Sequence, residues 1–311
     1  MNVEENNEKI SNLILPKGTQ IVTLIDVKVL NEARFQPRGT VGIIKTQPGD
    51  ANHSYLIEFL DGTISAIKRS EFAIRKHYQT DVAIDAQTDQ NLYEYVIFRC
   101  VVGSRAFALD DENSDTDLRG IYLPPADLHW SIYGVPEQIE NKNNEECYWE
   151  LQKFLMLALK ANPNILECLH TPLVEYANEI ARELLSIRRI FLSKLVYQTY
   201  NGYVMSQFKK LEQDLRVGGE IRWKHAMHLI RLLLQGIEIL QAGDLIVKVT
   251  ENREKLLSIK RGESDWAKIN EWRLNLHQEF ENAFAKTNLP ERPDYEKANE
   301  FLVKARKAMV K

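Results

Sequence analysis

The rhythm of apolar and polar positions changes twice along the chain. Between Ile21 and Lys68, short runs rich in β-branched residues at Ile21–Leu30, Thr40–Lys45, Ser54–Leu60 and Thr63–Lys68 predict strands. Asp61-Gly62, between the last two, is a strong two-residue hairpin signal, and Pro37-Arg38-Gly39 marks an earlier turn. Strands this short and closely spaced predict a small β-barrel within residues 1–80, closing near His77. From Leu92 the pattern becomes a nearly continuous apolar run, Tyr95-Val-Ile-Phe-Arg-Cys-Val-Val, which ends at Gly103-Ser104 and suits a strand buried on both faces. A second strand is expected at Asp117–Leu123, stopped by Pro124-Pro125, whereas Gln138–Glu146 is too polar to read as a strand. Beyond Tyr148 the period is helical, with helices predicted at 148–161, 173–195, 198–215, 222–241, 251–260, 264–285 and 294–309. The expected protein is α+β: an accessory barrel over 1–80, an α/β core over 81–147 and a helical domain over 148–311.

The segment VVGSRAFALDDENSDTDLRGIYLPP, residues 101–125, carries the candidate chemistry. A buried strand ending in Gly103-Ser104 lets a phosphate approach backbone that has no Cβ, with a hydroxyl and Arg105 beside it. Ten residues on, Asp115 and Asp117 alternate at the mouth of the next strand, so period two puts both carboxylates on one face. Two hard oxygen ligands beside a phosphate seat suit Mg²⁺ or Mn²⁺. The spacing Asp111-x-Asn113-x-Asp115 also opens a calcium loop, but that loop needs Gly where Thr116 stands and Glu where Tyr122 stands.

The order strand, Gly-Ser, spacer, Asp-x-Asp, strand resembles the DNA polymerase beta superfamily signature. The string GSRAF…SDTDLRGIYLPP resembles a subgroup, the predicted nucleotidyltransferases associated with bacterial RNA-repair loci. The resemblance continues through 150–169, 191–211 and 224–245 and covers roughly residues 92–290. It implies that Gly103 and Ser104 hold a triphosphate and that Asp115 and Asp117 bind metal. It further implies a third carboxylate that activates the acceptor hydroxyl, for which Glu145 and Glu146 are the candidates. The implied reaction moves a nucleoside monophosphate from an NTP to a hydroxyl, with an RNA or tRNA end as the acceptor that the family association suggests. The alternatives are an inactive nucleotide- or RNA-binding module and an enzyme that modifies a protein partner. The run Gly39-Thr-Val-Gly-Ile-Ile-Lys resembles KOW-type, SH3-sized barrels, which makes the N-terminal region a candidate recruiter of RNA or protein.

Around this centre, helix 222–241 puts Ala226, Leu229, Ile230, Leu233, Ile237 and Leu240 on one stripe and Lys224, His228, Arg231 and Gln235 on the other face. Lys224, His228 and Arg231 are therefore candidates to grip phosphate or acceptor. Arg119, Ser193 and Lys194 are further candidate contacts, as are Tyr200, Tyr203, Lys209 and Lys210. Glu167 reads as packing support.

Composition narrows little more. With 311 residues and 44% apolar content the chain can bury a large core. No run approaches the roughly 18 apolar residues of a membrane span, and the start MNVEENNEKI is unlike a signal peptide, so a cytoplasmic location is expected. Cys100, Cys147 and Cys168 are odd in number and far apart, which argues for reduced core residues over a disulfide or zinc framework. A net charge of -4 neither requires nor excludes nucleic acid.

Overall fold

The computed structural model describes residues 14–50, 53–76, 78, 91–112, 114–141, 144–218 and 221–310. His77, Asn113 and the boundary expected near residue 80 lie outside them. The chain divides into two compact units, residues 1–90 and 91–311.

The first unit contains β1 (Gln20–Thr23), β2 (Val27–Lys28), β3 (Phe35–Gln36), β4 (Val41–Thr46), β5 (Tyr55–Phe59), β6 (Ile64–Ile67) and β7 (Phe72–Ile74). Five of these form a sheet in the order β6-β5-β4-β1-β7, while β2 pairs with β3 in a separate ribbon. Among the described residues the expected barrel is not closed: the strands form a sheet with β6 and β7 at its ends. The single strand expected over Ile21–Leu30 breaks at Asp26, whose Oδ1 accepts the Arg38 N–H at 2.7 Å, and its halves join different sheets. Alternate residues of β5, Tyr55, Ile57 and Phe59, are buried with Ile21, Ile44, Ile67 and Phe72 in one small core. The Asp61-Gly62 hairpin has a three-residue loop rather than two. The Phe59 N–H meets the Thr63 carbonyl at 2.9 Å, and Gly62 takes the left-handed φ of 79° that this loop needs.

In the second unit the elements are β8 (Val96–Val102), α1 (Gly103–Phe107), β9 (Asp117–Tyr122), α2 (Ala126–Trp130), β10 (Gln138–Asn141), β11 (Glu146–Glu150), α3 (Leu151–Ala158), α4 (Pro163–His170), β12 (Val174–Ala177) and α5 (Glu179–Ser186). They are followed by α6 (Leu195–Gly218), α7 (Trp223–Ala242), α8 (Arg253–Lys260), α9 (Trp266–Lys286) and α10 (Tyr295–Ala308). The sheet order is β10-β11-β9-β8-β12, with β9 and β11 parallel and the other neighbours antiparallel. One continuous core joins this sheet to the helices, from Ile97 and Phe98 on β8 to Phe280 on α9 and Phe301 on α10. Cys100, Cys147 and Cys168 are buried and unbridged, and among the described residues no helix is long and apolar enough to cross a membrane.

Two segments expected otherwise are strands. Tyr148 and Trp149 belong to β11 rather than to a helix, and the polar stretch before them supplies β10 as its hairpin partner. Val174–Ala177 lies inside the expected helix 173–195 but pairs with β8. The Val101 N–H bonds the Leu173 carbonyl at 2.9 Å, and Thr171 Oγ1 donates to the Val101 carbonyl at 3.0 Å. The need to satisfy the open edge of a buried strand outweighs local helical period here.

Gly120, in the middle of β9, allows the backbone of β8 and the Tyr148 ring to come close. A Cβ there would lie 1.9 Å from the Phe98 carbonyl oxygen and 3.0 Å from the Tyr148 ring. Gly120→Ala is expected to cost at least about 4 kcal/mol, in the range reserved for core overpacking and backbone displacement. Urea denaturation checks this, and a midpoint equal to wild type would contradict it.

Candidate active site

The site grows from the turn between two strands. β8 and β9 are antiparallel neighbours with Val102 opposite Asp117, so the Gly103-Ser104 turn and the start of β9 are brought side by side. Gly103 adopts φ of 71°, and a Cβ on it would stand 2.9 Å from Asp117 Oδ2. Glycine therefore serves both the left-handed backbone and the close carboxylate. Helix α1 then ends at Ala108, also left-handed at φ of 58°, and the spacer folds back to Asp115.

The spacer is pinned from both sides. Arg105 donates to the Ser114 carbonyl at 2.8 Å, and Asp111 N–H donates to Ser114 Oγ at 2.9 Å. Lys260, at the end of α8, donates to the Leu109 carbonyl at 3.0 Å and to Asp111 Oδ2 at 2.7 Å, while Arg253 reaches the Ala108 carbonyl at 2.7 Å. Distant helix α8 thus fixes the loop between the phosphate turn and the aspartates.

A cleft of about 680 Å³ opens over this turn. Its lining carries Gly103, Ser104, Asp111, Asp115 and Asp117, with Lys260 bonded to Asp111, and also Lys210, Lys224, His228 and Arg231. On α7, Lys224, His228 and Arg231 follow at helical spacing and all three line the cleft, while Arg231 and Gln235 are also buried. Arg231 donates to Glu167 Oε1 at 2.6 Å and lies over the Phe107 ring at 3.8 Å, with both side chains of the ion pair under a tenth exposed. Its Nε has no hydrogen-bond partner among the described residues. Burial first, then the neighbouring Arg231 and Lys224 charges, push the His228 imidazole down to about 3, so it is neutral at pH 7.

That shift has a measurable consequence. Burial likewise pushes His170 down to about 4. An unfolded histidine takes its proton near pH 6.5, so the stability each contributes is full above that pH and is lost as pH falls towards the folded value. From pH 7 to pH 5 each is expected to remove about 2 kcal/mol. The pH slope of the urea midpoint should become shallower in His228→Gln; an unchanged slope contradicts this.

Arg119 lines the cleft but is committed to structure: its guanidinium meets Asp117 Oδ1 at 3.0 Å, the Leu118 carbonyl at 2.8 Å and the Glu145 carbonyl at 2.7 Å. Arg105 braces the spacer and is not on the cleft lining. Glu145 is exposed, with φ of 52°, and its carbonyl accepts the Leu118 N–H at 3.2 Å; its position continues β11 towards Asp117, but its side chain is not on the lining. Glu146 alternates with Cys147 and Trp149 on β11 and faces the side of Tyr93 and Tyr148, away from the cleft that Trp149 lines. Ser193 is buried and its Oγ accepts the Leu195 N–H at 3.3 Å at the start of α6, and Lys194 pairs with Glu291, so neither joins the cleft. Tyr200 is buried and donates to Gln235 at 3.2 Å, a packing role. Lys260, Gln207 and Asn164 line the cleft without having been singled out from the sequence. For Gln207 a signal existed, since Tyr203, Gln207 and Lys210 share one helical face; for Lys260 nothing local pointed there.

Among the described residues no group of three His, Cys, Asp or Glu side chains could hold a metal alone. Asp115 and Asp117 are two hard donors beside the Gly103-Ser104 turn, which fits Mg²⁺, an ion commonly bound by one or two carboxylates with substrate phosphates and water.

A sheet that joins a Gly-Ser turn to two aspartates under a basic helical wall defines a polymerase beta type architecture. The chain belongs to the RNA repair pathway DNA polymerase beta family, whose model matches residues 74–304. It is similar to the uncharacterized protein YcgL of Bacillus subtilis (strain 168), at 29% identity over 142 residues, covering 45% of this chain and 54% of the relative. It is also similar to the uncharacterized protein MJ0002 of Methanocaldococcus jannaschii, at 26% identity over 157 residues, covering 49% of this chain and 63% of the relative. These matches thus span between half and two thirds of the relatives' own lengths.

Proposed function

We propose that the protein transfers a nucleoside monophosphate from an NTP to a hydroxyl of an RNA end. The observation that carries this reading is that Asp117 occupies the space a Cβ on Gly103 would fill, inside a cleft that is also lined by cationic side chains. Family membership supports both the reaction type and the RNA acceptor. In this reading Gly103 and Ser104 seat the triphosphate through backbone N–H groups and a hydroxyl, while Lys210 and Lys224 balance its charge and Arg231, paired with Glu167, supports the wall behind them. Asp115 and Asp117 would hold Mg²⁺ or Mn²⁺, which when bound supplies charge neutralisation on the phosphates. The acceptor oxygen bonds to the α-phosphorus as the bond from that phosphorus to the bridging oxygen breaks, pyrophosphate leaves, and the hydroxyl proton passes to a base. Glu145 is the candidate base, because it continues β11 at the height of Asp117; Glu146 belongs to the other face.

One observation favours a second reading, a binding module without chemistry: neither Glu145 nor Glu146 lines the cleft. The two are separated by product analysis with NTP, Mg²⁺ and cellular RNA. One pyrophosphate released for each nucleotide incorporated is expected; binding without pyrophosphate release would favour the module, and orthophosphate release would overturn both.

A further inference from the structure

The cleft has two chemically different corners. One holds the Gly-Ser turn, the aspartates and Lys260, tied together by the Lys260–Asp111 pair at 2.7 Å. The other is tied by a different bond: Asn162 Nδ2 donates to Tyr203 Oη at 2.8 Å, which holds the start of α4 against α6. Asn162 caps α4 through its Oδ1, so Pro163 and Asn164 form the first turn of that helix at the cleft surface. On α6, Gln207 sits one turn beyond Tyr203 and on the same face.

Asn164 and Gln207 are the side-chain amides on the cleft lining, and no hydrogen bond within the described residues uses either side-chain amide. An amide presents a donor beside an acceptor and no charge, which suits the edge of a nucleobase better than a phosphate. The half-buried ring of Tyr203 beside them, backed by the buried Pro163, provides apolar surface for a flat ring. Adenine offers the N6 donor next to the N7 acceptor, the edge that an Asn or Gln amide grips with two bonds.

Resting on the nucleotidyltransferase reading, we propose that this corner is the nucleobase subsite, that Asn164 and Gln207 determine nucleotide choice, and that the base taken is adenine. Tyr203 is a positioning residue, held by Asn162.

Competition titrations of the full chain with ATP, GTP, CTP, UTP and inorganic tripolyphosphate in Mg²⁺ test this. In wild type, ATP is expected to bind about tenfold more tightly than the other three, the discrimination one good amide-to-base pair supplies. In Asn164→Leu with Gln207→Leu the four NTPs should converge to within about threefold, while tripolyphosphate, which has no base, keeps its wild-type affinity. Both positions are solvent-facing enough that folding should survive, and thermal unfolding checks it; Gln207→Ala alone serves if the double variant fails. A preference for another base in wild type, or an ATP preference that persists in the folded variants, overturns the proposal. If wild type binds neither NTP nor tripolyphosphate, the nucleotidyltransferase reading itself fails, which is a different result from binding without base preference.

Discussion

Asp115→Ala combined with Asp117→Ala is expected to reduce nucleotidyl transfer by about a thousandfold or more while leaving the protein folded. The size follows from charge: without both anionic donors the chain would no longer hold the metal ion that would offset phosphate charge in the transition state, and about 4 kcal/mol corresponds to a thousandfold in rate. Folding should tolerate the change because Asp115 is exposed and Asp117 half-buried at the cleft, not in the core. The cost to stability should stay near that of losing the partly exposed Arg119–Asp117 pair, about 1 kcal/mol at most. Arg119 also bonds two backbone carbonyls, so its position does not depend on Asp117 alone. Transfer rates with Mg²⁺ and a thermal melt together decide the matter. A folded double variant that retains transfer would show that the chemistry lies elsewhere.

Glu167→Ala is expected to produce the largest loss of stability among the cleft substitutions. Glu167 and Arg231 form a buried pair at 2.6 Å, and Arg231 already carries an unpartnered buried Nε. Truncating the carboxylate leaves a cation in a low-dielectric site, which costs about 3–5 kcal/mol. For a unit of this size that is roughly a 10 °C fall in Tm. Glu167→Gln keeps an acceptor and should lose less, about 1–2 kcal/mol. The double variant Glu167→Ala, Arg231→Met should recover part of the loss, because no charge is then stranded. A Glu167→Ala protein as stable as wild type would mean that Arg231 finds another anion or water.

The geometry of the turn was legible because it is local. Gly103-Ser104 and Asp115-x-Asp117 are joined by a short spacer, and strand ends brought together by one antiparallel pairing keep their spacing in the sequence. The helical period after Leu195 was legible for the same reason, and so was the Asn162-Pro163 cap, which closes within three residues. What escaped depends on distance along the chain or on which face of a strand a residue takes. Lys260 reaches a loop 149 residues away at Asp111. Glu146 looked as good as Glu145 until β11 was seen to begin there and alternate, with Trp149 turned to the cleft. Ser193 and Lys194 looked like cleft contacts, but one caps α6 and the other pairs with Glu291. Val174–Ala177 looked helical because its role, covering the edge of β8, is set by a strand some 75 residues earlier. The barrel was overdrawn because a run of β-branched residues does not reveal where Asp26 turns the chain.

The most direct measurement is a comparison of α-³²P- and γ-³²P-labelled ATP, each incubated with the protein, Mg²⁺ and total cellular RNA. Label passing into RNA from the α position alone is the expected result, since the nucleotidyl group is transferred and pyrophosphate leaves. Label entering RNA from the γ position, or from neither position with any of the four NTPs, would contradict the assignment of this cleft to nucleotidyl transfer.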